Sequence, residues 1–295
     1  MAKHGRVRIG VSGWRYGPWR GVFYPDGLRQ KDELAFLATQ FPTVEINGTF
    51  YSLQRPENFR VWHDETPADF MFAVKGSRYI THMLRLTRIE KPLANFFASG
   101  VLALGRKLGP ILWQFPPSFR FNPDKLEAFF RLLPRDTEEA ARLARRRDAR
   151  VKGRTFLRAG PKRRLRHAVE IRHESFVVPD FVTLLRKYRI GLVCADTVEW
   201  PLLMDVTSDF VYCRLHGSEE LYASGYDDAS LERWANRVAA WAAGHEHKDA
   251  TRIIDKPAPQ RATRDVFVYF DNDKKVRAPF DAHSLTQKVD RRLAK

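Results

Sequence analysis

RHAVEIRHESF, residues 166–176, begins as an apolar strand and ends as a cluster of charges. Side chains alternate between the two faces of a strand, so Val169 and Ile171 share one face while Glu170 and Arg172 share the other. Strands of a parallel sheet are covered on both faces and are normally apolar throughout. Charges at the end of such a strand therefore indicate a place where several strand ends meet and supply partners to one another.

Seven further apolar runs of strand length occur along the chain, and segments with helical periodicity separate them. The eight runs are VRIGVSG (7–13), TVEIN (43–47), MFAVKG (71–76), GPILWQF (109–115), HAVEIRH (167–173), IGLVCADT (190–197), FVYCRLHG (210–217) and VFVYFDN (266–272). Strands that alternate with helices predict a parallel sheet, and eight such units predict closure into a barrel. An open doubly wound sheet is less favoured, because no GxGxxG turn follows any strand. We therefore predict an α/β fold, a single TIM-type (β/α)8 barrel domain over residues 1–295.

The net charge of +16 is concentrated in one part of the chain. Residues 142–166 contain twelve Lys or Arg and a single acid, Asp148. They belong to a basic insertion, 134–166, that precedes the fifth strand and so is expected at the end of the barrel away from the active face. Such a segment favours a polyanion, nucleic acid first, although a solvated surface loop has the same composition.

The remaining bulk features predict a cytoplasmic protein without a membrane partner. Cys194 and Cys213 lie inside strand-like runs and are expected to be reduced core residues. The first thirteen residues, MAKHGRVRIGVSG, lack the apolar core of a signal peptide. No run approaches the roughly 20 apolar residues of a membrane span.

Polar residues recur at the carboxyl ends of seven of the eight strands, where the chemistry of this fold takes place. The predicted catalytic residues are Glu45, Glu170, His216 and Asp196. The predicted substrate-binding residues are Trp14, Asn47, Tyr51, Lys75, Gln114, Arg172, Arg214 and Asn272. The alternative is a self-neutralising ion network that only fills the mouth of the barrel.

The first loop, SGWRYGPWRGVFYP (12–25), places aromatic rings and arginines over the same mouth. Aromatic faces beside arginines suit stacking on a base or a sugar. The alternative is an aromatic lid that packs on the barrel rim. A single loop histidine after the third strand, His82, is by itself weak evidence for a functional site.

The order of these motifs resembles a known family, domain of unknown function 72, the YecE-like proteins. The resembling pieces are IGVSGWRY, FYPDG, FPTVEINGTFY, FAVKGSRYITH, LGPILWQFPPSF, AVEIRHESF, ADT, FVYCRLHG and VYFDN. They run in order from residue 9 to residue 272 and cover nearly the whole chain. The resemblance implies a TIM barrel but no established activity. The basic insertion is longer than the family's simplest form requires.

Three functions remain open at this point. The first is hydrolysis of a phosphoester in a nucleotide or nucleic acid, in which Lys75, Arg172 and Arg214 hold the anion. Glu45 or Glu170 would then be the general base and His216 the acid. The second is a metal-dependent enzyme, of the sugar isomerase type or a nuclease, and the third is a nucleic-acid-binding barrel without catalysis. The candidate ligands for a divalent metal are Glu45, Glu170, Asp196, His216 and Asp271, although no HExxH motif or cysteine cluster is present.

Overall fold

The computed structural model describes residues 4–217 and 219–294. Its strands form one closed barrel in chain order, and every neighbouring pair is parallel. The strands are β1 Val7–Ser12, β2 Thr43–Ile46, β3 Met71–Lys75, β4 Leu108–Gln114, β5 His167–Glu170, β6 Gly191–Asp196, β7 Phe210–Leu215 and β8 Asp265–Phe270. The predicted TIM-type (β/α)8 barrel is confirmed.

Helices lie between the strands and cover the outside of the barrel. They are α1 Glu33–Gln40, α2 Gly48–Tyr51, α3 Pro56–Asp64, α4 Glu90–Ala98, α5 Pro123–Leu132, α6 Thr137–Arg145, α7 Pro179–Tyr188, α8 Asp228–Ala242 and α9 Ala278–Leu293. The helix starts follow local sequence rules, because Asn122, Asp136 and Asp227 each accept a backbone N–H bond as N-caps. In the described part of the chain, no helix is long and apolar enough to cross a membrane.

Strand alternation divides the buried residues into two clusters. Outward-facing residues such as Val11 and Val268 pack under the helices, whereas inward-facing residues such as Ala73, Tyr212 and Tyr269 fill the barrel interior. Small residues beside large aromatic rings allow this interior to pack without a central channel. The same alternation, continued to the carboxyl ends, determines which side chains reach the mouth of the barrel.

The two cysteines lie on neighbouring strands, where Cys194 and Cys213 are register partners. Both are buried free thiols, as expected of core residues.

The basic insertion 134–166 does not stay at the amino end of the barrel. Helix α6 packs against α4 and carries the chain toward the mouth, where Lys91 Nζ donates to the carbonyl oxygen of Arg146 at 2.9 Å. Beyond α6, a 3-10 turn at Ala149–Val151 brings the Arg150 guanidinium to 3.5 Å from the hydroxyl of Tyr79, in the loop after β3. The chain then returns to the amino end. The prediction that the insertion lies only at the amino end of the barrel is therefore wrong. Because α6 packs along α4, the insertion reaches the carboxyl end as well.

Candidate active site

The guanidinium of Arg214 occupies the centre of the barrel mouth and is fully buried. One of its nitrogens lies 2.7 Å from Glu170 Oε2, and the other lies 2.9 Å from Glu45 Oε1 and 2.7 Å from Asp271 Oδ2. The second nitrogen also donates to Ser12 Oγ at 3.1 Å. A buried charge is tolerated only when it is paired and hydrogen-bonded. Arg214, on β7, therefore ties the carboxyl ends of four other strands to its own.

Glu45 and Glu170 each have further donors besides Arg214. Glu45 Oε2 accepts a hydrogen bond from the Tyr212 hydroxyl at 2.5 Å. Glu170 Oε1 accepts from Arg172 Nε at 2.7 Å. Burial alone would raise the pKa of Glu170, but the guanidinium groups of Arg214 and Arg172 hold that pKa well below its ordinary value. Glu170 is therefore a firmly ionised anchor for two cations.

Asp271 and His216 form the far side of the mouth. His216 Nδ1 lies 3.2 Å from Asp271 Oδ2 without the alignment of a hydrogen bond. Burial lowers the pKa of His216, and the charge of Arg214 acts in the same direction, so this imidazole is neutral. The pKa of nearby Asp273 is raised, first by burial and then by the charge of Asp271. Asp273 is therefore harder to ionise than an ordinary aspartate.

Lys75 differs from the other cations of the mouth. It ends β3, is 8% exposed, and places its ammonium 4.7 Å from the centre of the Phe50 ring. Among the described residues, no carboxylate oxygen lies within 4.0 Å of this ammonium. Burial lowers the pKa of Lys75 to about 8, and the charge of Arg214 acts in the same direction. On the neighbouring strand, the buried Oε1 of Gln114 also has no hydrogen-bond partner in the described residues.

His82 lies beside Lys75, in the turn Tyr79–Met83. Its ring packs edge-on against Phe50 at 5.0 Å, and its Nδ1 lies 2.8 Å from the Thr81 hydroxyl. Burial lowers the pKa of His82 to about 4, and the charges of Arg172, Lys75 and Arg78 act in the same direction. This side of the mouth is therefore a region of positive potential that contains a neutral imidazole. Strand alternation does not predict the position of His82, because this residue lies on a loop.

Arg172 also borders the positive region, since its charge acts on His82. Its guanidinium lies 4.1 Å from the centre of the Trp200 ring, and one nitrogen is 3.4 Å from the Tyr222 hydroxyl. Both aromatic residues come from loops after β6 and β7, and no sequence pattern singled them out. Together with Glu170 they fix the direction of the guanidinium.

Three of the predicted substrate-binding residues line one cavity of about 420 Å³ beside the mouth: Trp14, Asn47 and Tyr51. Asn47 Nδ2 donates to Ser12 Oγ at 3.1 Å and so connects this cavity to the central network. Farther along the aromatic loop, Trp19 and Tyr24 are buried in the core, as expected of a lid that packs on the barrel rim.

Two predicted site residues do not point into the mouth. Asp196 Oδ2 accepts a hydrogen bond from Trp234 Nε1 at 2.8 Å, and Asn272 Nδ2 donates to Asp281 Oδ2 at 2.8 Å. Both partners lie on the helices outside the barrel, so the expected inward orientation is wrong for Asp196 and Asn272. The number of strands that contribute polar residues to the mouth is still seven. Asp196 of β6 points outward, but Ser12 of β1 takes part in the central network instead.

The candidate metal ligands do not form a metal site. Glu45, Glu170 and Asp271 converge on the guanidinium of Arg214, so a cation from the chain already occupies the point where their oxygens meet. His216 contacts the same group, and Asp196 points away. Within residues 4–217 and 219–294, no group of three such side chains is placed to hold a metal ion. The donor set therefore does not fit a divalent metal.

The sequence profile of a family described as "Protein of unknown function DUF72" matches residues 8–295. The UPF0759 protein YunF of Bacillus subtilis is 31% identical over 118 residues, which span 38% of this chain and 41% of that protein. The UPF0759 protein YecE of Escherichia coli K12 is 28% identical over 127 residues, 43% of each chain. The matched regions thus span less than half the length of these curated relatives.

Two crystal structures of DUF72 family proteins share the fold. That from Thermotoga maritima superposes with a TM-score of 0.72 at 24% identity, covering 97% of this chain and 99% of the other. That from Enterococcus faecalis V583 gives 0.66 at 17% identity, covering 98% and 99%.

Proposed function

Since the chain belongs to the DUF72 family, whose description assigns no activity, we propose a function from the barrel mouth itself. We propose that the protein is an enzyme that hydrolyses a phosphoester in a nucleotide or nucleic acid by acid–base chemistry. The observation that carries this proposal is Lys75, a buried ammonium with no carboxylate oxygen within 4.0 Å among the described residues. A buried unpaired cation is costly, and a bound anion would remove that cost.

The surroundings of Lys75 favour phosphate over a neutral ligand. Lys75, Arg78 and Arg172 all act on the pKa of His82, which shows that three cations lie near one imidazole at the mouth. A phosphate presents several oxygens that can contact all three. Phosphoryl transfer is promoted chiefly by positioning and by charges that stabilise the equatorial oxygens, which is what such a cluster supplies.

The pKa values favour a different division of roles from the one predicted by sequence. Lys75, with a pKa of about 8, is mostly protonated at neutral pH and is close to the value at which a general acid is effective. His82 is neutral, and a bound phosphate would offset the three cations that lower its pKa. Glu45 and Glu170 are instead engaged by Arg214 and act as positioning residues.

The reaction balances with these two groups. Water attacks phosphorus as His82 accepts its proton, and a new P–O bond forms. The ester P–O bond breaks as Lys75 donates a proton to the leaving alcohol. Proton return from His82 to Lys75, directly or through solvent, restores the starting state.

The test is hydrolysis of bis(p-nitrophenyl) phosphate and p-nitrophenyl phosphate by the purified chain with EDTA present. Lys75→Met is expected to lower kcat/KM by about 100-fold or more, the range for loss of a general acid. Lys248→Met, at an exposed lysine remote from the mouth, is the control and should leave kcat/KM unchanged. Equal rates for the two variants, with both folded by thermal melting, would refute the assignment.

A second candidate is nucleic-acid binding without catalysis. The observation that favours it is a pair of adjoining cavities of about 580 Å³ and 490 Å³ at the amino end of the barrel. Both contain Arg163 and Arg164, and nine cationic side chains and three carboxylates line them together. A polyanion could bind at these cavities without contacting the residues of the mouth.

A further inference from the structure

Cationic side chains lie against aromatic rings along one side of the mouth. Each distance runs from the charged group to the ring centre, and each pair has the geometry of a cation–π contact. The pairs are Arg172 with Trp200 at 4.1 Å, Lys75 with Phe50 at 4.7 Å, Arg78 with Tyr51 at 5.4 Å and Arg150 with Tyr79 at 5.9 Å.

Three of these pairs form a continuous path. Tyr51, Tyr79 and Arg150 line one cavity of about 180 Å³. Tyr51 also lines the larger cavity that contains Trp14, and its ring is 5.1 Å from Phe50, which Lys75 covers. The path therefore runs from the basic insertion, over Tyr51, to the unpaired ammonium in the mouth.

The outer part of the path is open to solvent. Tyr51 is 65% exposed, although its neighbour Phe50 is 7% exposed. Arg78 and Arg150 are exposed as well. The packing of α2 thus buries one ring and leaves the adjacent one outside between two arginines. An exposed ring between cations provides a face for a base and charges for the phosphates on either side of it.

Hydrogen bonds within the insertion and to α4 fix the position of Arg150. Asp148 accepts a hydrogen bond from Asn95 Nδ2 at 3.0 Å, and its backbone N–H donates to Asn95 Oδ1 at 3.0 Å. The same carboxylate accepts the backbone N–H of Arg150 at 2.9 Å, so the turn is fixed to α4. The path therefore depends on the insertion 134–166 for its outer cation.

We propose that the substrate of the mouth is single-stranded nucleic acid, which lies along Arg150, Tyr79, Arg78 and Tyr51 and presents a phosphodiester to Lys75. This inference rests on the proposed function, because it takes the mouth as the site of reaction. A single strand is required, since the bases of a duplex are already stacked on one another and cannot lie on Tyr51.

The experiment measures binding, so it does not require turnover. The probe is fluorescein-labelled dT12, and its anisotropy is followed with the full chain at several salt concentrations. Tyr51→Ala is expected to weaken binding by about tenfold, as for loss of one base–aromatic stack, whereas Tyr51→Phe keeps the ring and should bind like the unmodified protein. Arg150→Ala should reduce the slope of log Kobs against log salt by about 0.7, the value for one phosphate contact in a single strand.

The matched control for Arg150→Ala is Arg164→Ala, at the amino-end cavities. Loss of dT12 binding in Arg164→Ala but not in Arg150→Ala would overturn the proposed path and favour the amino end. Equal or tighter binding of the duplex dT12·dA12 would also overturn it.

The two proposals can fail separately. If the Tyr51 and Arg150 variants bind dT12 normally while Lys75→Met abolishes phosphoester hydrolysis, the path is wrong and the proposed function stands. If those variants lose binding as expected but no phosphoesters are hydrolysed, the path stands as a binding site and the proposed function fails.

Discussion

Arginine and acidic side chains cluster at both ends of the barrel. They are buried and closely paired at the carboxyl end, whereas cations outnumber carboxylates at the amino end. At the carboxyl end, two fully buried carboxylates and the partly buried Asp271 surround Arg214, with a further guanidinium, Arg172, on Glu170. At the amino end, nine cations and three carboxylates line two open cavities. Burial makes an uncompensated charge costly, whereas water and salt screen charges that remain exposed. The excess positive charge of the chain can therefore lie at the open amino end but not in the centre of the mouth.

The largest expected effect comes from removing the central cation of the mouth. Arg214→Met leaves three carboxylates without their common partner and should lower the free energy of unfolding by about 3–5 kcal/mol. Urea denaturation of the two proteins measures this difference.

Arg164→Met is the corresponding change at the amino end. Arg164 lies 3.0 Å from Asp209, but its side chain is 42% exposed, so we expect a loss of less than about 1 kcal/mol. Losses of similar size for Arg214→Met and Arg164→Met would mean that the two ends do not differ as described.

The second effect is a pH dependence that belongs to Lys75. Its pKa in the folded protein, about 8, is below the ordinary lysine value of 10.5, so the unfolded chain binds more protons between pH 8 and pH 10.5. Stability contributed by this group therefore rises with pH across that window, by about 3 kcal/mol in total. We expect the free energy of unfolding of the unmodified protein, relative to Lys75→Met, to rise by this amount from pH 8 to pH 10.5.

Lys248→Met provides the comparison for an exposed lysine. The difference in free energy of unfolding between the unmodified protein and Lys248→Met should stay constant from pH 8 to pH 10.5. A constant difference for Lys75→Met as well would show that the buried ammonium titrates normally.

The smallest effect concerns one hydroxyl group. Tyr212→Phe removes the donor to Glu45 Oε2 inside the barrel and should cost about 2 kcal/mol, as for a buried hydrogen bond to a charged group. Tyr188→Phe removes a similar bond, 2.7 Å to Glu127 Oε1, near the amino end, where solvent can replace the lost donor. Chemical denaturation should give a smaller loss for Tyr188→Phe, and the reverse order would contradict the role of burial.

Much of the mouth could be predicted because the period of a strand is two residues. Alternation in TVEIN and FVYCRLHG correctly turned Glu45 and Arg214 inward. The prediction was wrong for two residues at strand ends that lie out of phase with the inward-facing positions of their strands. Asp196 follows the inward-facing Ala195 and so points outward, and Asn272 follows the inward-facing Asp271.

The loops could not be predicted in this way. His82, Trp200 and Tyr222 lie at no regular spacing from the strands, and only the folded chain brings them to Lys75 and Arg172. The course of the insertion was also missed, because it depends on the packing of α6 against α4.

The sequence by itself determined the eight-strand barrel, the end at which its polar groups collect and the excess of positive charge, because periodicity and composition are local properties. Tertiary structure decided which charges are compensated. Glu45, Glu170 and Asp271 come from distant parts of the chain and meet at Arg214, while Lys75 has no carboxylate oxygen within 4.0 Å among the described residues. Pairing depends on distances of a few ångströms between strands that only closure of the barrel brings together.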